Sequence, residues 1–96
     1  SVYPDLVAAA GGVGPILEKA QRRLAAGEPV EALHLVEVAE AVSPENAQLL
    51  ALKRQALEAL RERATAGRNN FYEVSWLDAR LAEVKKAQEA NPPQDR

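Results

Sequence analysis

Residues 27–46 read GEPVEALHLVEVAEAVSPEN, and this segment constrains the chain more than any other. Wound as a helix from Pro29 to Val42, it carries Glu31, His34, Glu37 and Glu40 as one polar stripe at three-residue steps, and every other position on it is apolar. A helix wetted along so narrow a strip needs protein on at least two sides, so this third helix is expected at the centre of the packing. The fold must therefore supply other helices to cover it, and this helix and the long one after it carry more apolar surface than five short helices of one chain are expected to cover, so a second copy is expected to supply the rest.

The punctuation around the segment supplies those helices. Gly11-Gly12, Gly27, Ser43-Pro44 and Gly67 divide the chain, and helical spacing runs between them. Tyr3-Pro4-Asp5 opens a short first helix, because proline is tolerated in a first turn and aspartate complements the positive end of the dipole. Val13, Ile16, Leu17, Ala20 and Leu24 share one face of a second helix opposite Lys19, Arg22 and Arg23, and Gly27 is its expected C-terminal glycine. Ser43-Pro44-Glu45-Asn46 reads as the start of a long fourth helix, with Ser43 as the capping oxygen. On that helix Leu49, Leu52, Ala56 and Leu60 form one row and Leu50, Leu57 and Ala64 another, so it too is expected to face two neighbours. Phe71, Val74, Leu77, Leu81 and Val84 then recur at three- and four-residue steps and predict a fifth helix from about Asn69 to Ala90. No segment alternates as a strand would. The expected class is all-α: about five helices in antiparallel hairpins of tetratricopeptide-like type.

Composition removes several functions. The formal net charge is −2 and the sequence pI about 5.4, so no basic field attracts phosphate backbones and nucleic acid is not an expected partner. No cysteine is present, which excludes disulfides and thiolate chemistry and favours a reducing, cytoplasmic compartment. The opening SVYPDLVAAAGG is too short an apolar run to span a bilayer and lacks the basic start of a secretory signal, so a soluble chain away from membranes is expected. Gly11-Gly12-Val13-Gly14 follows a helix instead of a strand, which is turn chemistry and not a nucleotide loop.

Two resemblances add to this reading. Gly27 at a turn, Ala32 and Ala39 seven apart, and Pro44-Glu45-Asn46 resemble the second helix of a tetratricopeptide repeat, where small residues let helix axes approach closely. Over residues 3–85, the order of the glycine pair, the repeat-like hairpin, the long helix and RNNFY resembles the dimerisation domain of alkyl sulfatases, which are hydrolases of the metallo-β-lactamase fold. Many members have arginine and asparagine adjacent where this chain has Arg68-Asn69-Asn70. The resemblance implies a non-catalytic helical module over residues 1–90, followed by a polar tail at 91–96, that makes a homodimer. It also implies a longer parent chain whose own N-terminal catalytic domain holds zinc through a His-x-His-x-Asp-His run. Nothing in the module itself is expected to hold a cofactor, a metal or a catalytic group.

The residues that invite sharper readings fit this one. His34 between Glu31 and Glu37 offers a single imidazole, short of the three converging ligands of a zinc site, and the spacing is that of a solvated stripe. Asp78, Glu83 and the other carboxylates come with no sequence sign of a pocket or of perturbed pKa values, so an acid–base pair is not expected among them. Arg68, Phe71, Tyr72 and Trp76 fall within nine positions and include three of the four aromatic residues of the chain. Arginine and aromatics are favoured at interface centres, so these four, with Leu57, are the expected interface residues. Within that group Phe71 continues the apolar row and is expected in the core, while Trp76 stands off it. A rival reading is a tetratricopeptide-like adaptor that clamps a partner's peptide carboxylate with Arg22, Arg23, Lys53 and Arg54.

Overall fold

A computed structural model describes residues 2–67 and 70–92. Five helices follow one another: α1 (Val2–Ala9), α2 (Val13–Ala25), α3 (Pro29–Glu40), α4 (Ala47–Ala66) and α5 (Phe71–Ala90), with no strand among the described residues. The first two helices stop in the same way. Gly11 (φ 94°) and Gly27 (φ 77°) adopt the left-handed conformation, and in each case the following amide bonds back across the turn, Gly12 N–H to the Val7 carbonyl and Glu28 N–H to the Arg23 carbonyl, both at 2.9 Å. This arrangement satisfies carbonyls that a helix end leaves orphaned, and glycine adopts it without a Cβ penalty.

The start of α4 differs from the expectation. Asn46, not Ser43, is the cap: its Oδ1 accepts the Leu49 N–H at 3.0 Å. The Ser43 carbonyl instead accepts the Asn46 N–H at 3.2 Å and closes a turn with Pro44 at its second position, where the fixed φ of proline is already correct. Before that turn, α3 ends at Glu40, two residues before Val42, and the Ala39 carbonyl accepts from the Val42 and Ser43 amides. Replacing Asn46 by alanine is therefore expected to cost about 1 kcal/mol in urea unfolding, against a few tenths for Ser43→Ala. A larger loss at Ser43 than at Asn46 would contradict this assignment.

The α3–α4 and α4–α5 pairs pack antiparallel. Lys53 Nζ meets Glu40 at 2.6 Å at one end of the α3–α4 pair, and Arg63 donates to the Gly27 carbonyl at 2.6 Å at the other. Arg54 donates to Gln88 at 3.1 Å and Arg61 pairs with Asp78, which sets the α4–α5 register in the same sense. One core gathers Val7, Ile16, Leu17, Ala20, Val36, Val38, Ala39, Leu49, Leu50 and Leu52; a second, between α4 and α5, gathers Leu57, Ala64, Leu77, Leu81 and Val84. The long α4 spans both, which is why it needs two apolar rows.

The central position of α3 is as expected, since it packs against α1, α2 and α4. The source of its cover is not another chain, however. Ala32, Val36, Val38 and Ala39 on α3 and Leu49, Leu50, Leu52 and Leu57 on α4 are all buried within this one chain, and of the large apolar side chains in the third segment only Val30 and Val42, at its margins, stay largely exposed. The reason is that α1 also lies on α3, a long-range contact that helical periodicity does not report. The apolar surplus of the chain lies elsewhere.

Candidate interaction surface

The surplus begins where α5 begins. Val74 is half-buried and Leu77, Leu81 and Val84 are buried against α4, so the row predicted for this helix does face its neighbour. Phe71 belongs to the same row yet is 73% exposed, which corrects the expectation that it fills the core. The register explains this. With Asp78 opposite Arg61, one and a half to two turns back toward the start of α5 lies past Ala66, where α4 has ended and no helix face remains to receive a ring. Tyr72 is 86% and Trp76 51% exposed beside it. Phe71 and Tyr72 meet edge to face with ring centroids 5.5 Å apart, and the Arg80 guanidinium lies 5.3 Å above the Trp76 ring while bonding Glu83 at 3.0 Å. Trp76 follows Tyr72 by four residues on the helix, so the three exposed rings lie along the first turns of α5 as an aromatic tip, with the exposed Glu73 among them.

A second apolar surface lies at the start of the chain. Val2, Tyr3 and Leu6 on α1 are exposed, and Leu6 borders a groove of about 380 Å³ between α1, α2 and α3. Ile16, Leu35 and Val38 contribute its apolar wall, and Lys19, Arg22 and His34 its polar rim. The Tyr3 ring stands edge-on to His34 at 6.5 Å. Neither Lys19 nor Arg22 forms an ion pair among the described residues. Sequence reasoning missed this groove. Its one local signal is that VYPDLVAA carries a single charge, Asp5, and so has apolar residues left over after Val7 is buried. Helices α1 and α5 make no contact, so the tip cannot cover the groove within one chain.

Leu57, expected at an interface, is 1% exposed and is enclosed by the α4–α5 core. Arg68, with Asn69, lies outside the described residues. Asn70 precedes α5 and donates from its side chain to the Gly67 carbonyl at 3.2 Å. Phe71, Tyr72 and Trp76 are all exposed at the start of α5, the first two in ring contact.

The other candidates do not assemble into chemistry. His34, Glu31 and Glu37 share an exposed stripe, but among the described residues no three histidine, aspartate or glutamate side chains are grouped to hold a metal, so the side chains present do not fit zinc. Asp78 and Glu83 are each taken by an arginine, Arg61 and Arg80. The Arg61 hydrogen bond holds the Asp78 carboxyl below its ordinary range against the opposing effect of desolvation, with further help from the charges of Arg61 and Lys85. That is the reverse of what a general acid needs. The proposed carboxylate clamp is likewise dispersed: Arg23 pairs with Glu28, Lys53 with Glu40 and Arg54 with Glu58.

The Asp78 shift has a pH consequence. A carboxylate whose pKa is lower folded than unfolded adds stability above its unfolded value, and that contribution disappears as pH falls through the folded value. Urea midpoints of the native chain are expected to fall more steeply on acidification through this window than those of Asp78→Asn, by a small amount because the pair is solvated. Identical acid limbs would contradict the pairing.

Over residues 3–88 the chain matches a family described as alkyl sulfatase dimerisation. No curated protein and no solved structure matches it. None of the described helices is long and apolar enough to cross a membrane.

Proposed function

The chain belongs to the alkyl sulfatase dimerisation family, and we propose that it joins two copies of a larger hydrolase, using the aromatic tip of α5 as an anchor while a separate domain makes and breaks bonds. The observation that carries this is the exposure of Phe71, Tyr72 and Trp76 together, next to a hairpin whose own core is already complete. Contiguous exposed aromatics on a rigid helix are what interface centres use, because they offer large area for little lost entropy. In this reading the parent is a zinc-dependent hydrolase of the metallo-β-lactamase fold, its catalytic domain N-terminal to this module, and the α2–α3 hairpin is of tetratricopeptide-like type. The extensive packing of α2 on α3, with Ala20, Ala32 and Ala39 all buried, supports the last point.

Concentration tests the association without any assumption about the interface. A dimer gains stability by mass action, so the thermal midpoint of the chain is expected to rise as concentration increases from about 1 to 100 μM. A midpoint unchanged over that range would overturn the proposal.

A further inference from the structure

We propose that the aromatic tip of α5 in one copy seats in the α1–α2–α3 groove of a second copy, and that the second copy's tip seats reciprocally in the first. This deepens the dimerisation reading and rests on it. The two surfaces are complementary in kind. The tip presents Phe71, Tyr72 and Trp76 with Glu73 beside them; the groove presents Ile16, Leu35 and Val38 with Lys19 and Arg22 on its rim. Glu73, Lys19 and Arg22 are all exposed, and none has an ion-pair partner among the described residues. Opposite charges left free at the edges of two apolar surfaces fix orientation and speed encounter.

Area favours the reciprocal arrangement over contact between two tips. Given roughly 150–250 Å² for each aromatic side chain, the exposed parts of the three rings amount to on the order of 400 Å². Tip against tip would then bury about 800 Å² in total, the size of an incidental crystal contact. Tip in groove, made twice, buries the same two tips and adds the walls of both grooves, which carries the total past that size. A tip that binds a groove elsewhere on its partner forms a closed pair only if a two-fold axis relates the copies; otherwise the contact propagates into rings or filaments. A family that dimerises therefore requires both contacts to be made at once.

Complementation between two variants tests this. One variant removes the tip (Phe71→Ala with Trp76→Ala) and the other reverses the rim (Lys19→Glu with Arg22→Glu). All four positions are exposed, so both chains are expected to keep the circular dichroism of the native helices. Alone, the tip variant is expected to dimerise at least about thirtyfold, and the rim variant at least about tenfold, more weakly than the native chain in sedimentation equilibrium. Mixed, they are expected to form a heterodimer tighter than either homodimer, because one native tip then meets one native groove. Adding Glu73→Lys to the rim variant is expected to recover affinity. A rim variant that dimerises like the native chain while the tip variant does not would overturn the docking and leave dimerisation standing. A monomeric native chain would overturn both.

Discussion

Replacing Leu57 with alanine is expected to cost about 2–5 kcal/mol, because a fully buried leucine leaves both lost transfer energy and a cavity. The side chain is 1% exposed and packs with Ala64, Leu77, Leu81 and Val84, with Leu60 and Val74 half-buried alongside. That core is small and it is what holds α5, whose backbone comes close to no helix other than α4. A chain of this length is stable by only about 5–14 kcal/mol, so the substitution removes a large part of the total. The urea midpoint should fall accordingly, and amide protection should drop first along α5 while the core shared by α2, α3 and α4 persists. A loss under about 1 kcal/mol would mean that Leu57 does not occupy this core.

The aromatic tip should show the opposite separation of effects. Phe71→Ala with Trp76→Ala removes side chains that are mostly solvated in the single chain, so the monomer's stability is expected to change by no more than about 0.5 kcal/mol per site, apart from the loss of the Arg80–Trp76 contact, worth about 0.5–1 kcal/mol when exposed. Interface aromatics, in contrast, commonly cost 2 kcal/mol or more on truncation, so dimer affinity is expected to fall by at least about thirtyfold. Urea unfolding at low concentration and sedimentation at high concentration read the two quantities separately. Equal dimer affinity with and without the rings would remove the tip from the interface.

The contrast between Leu57 and Phe71 marks what the sequence could and could not disclose. Helix ends were legible where local chemistry sets them: Gly11 and Gly27 sit where only a left-handed residue closes the turn, and Pro29 stands in the first turn of α3. The central place of α3 followed from its single polar stripe. Ser43 and Asn46 both suit a cap, and the choice depended on Pro44 drawing Ser43 into a turn. Periodicity put Phe71 in the α5 row correctly but carries no information on where α4 stops, so it could not show that the row outruns its neighbour. Periodicity also gave α4 two apolar rows without saying that α5 takes the one containing Leu57. The groove was hidden for a related reason, since it exists because α1 lies on both α2 and α3, and no local pattern encodes that docking.

The dimer account also explains why so small a chain leaves its largest rings outside. A 96-residue domain buries a modest share of its surface, and its small-residue core is filled largely by alanine, leucine and valine. The three rings at the start of α5 find no place in it, and a partner offers the apolar surroundings that the chain lacks.

The mass of the native chain in solution is the most direct measurement. By light scattering at tens of micromolar, the account predicts a species of twice the 10.4 kDa chain mass. A species of 10.4 kDa under the same conditions would contradict it.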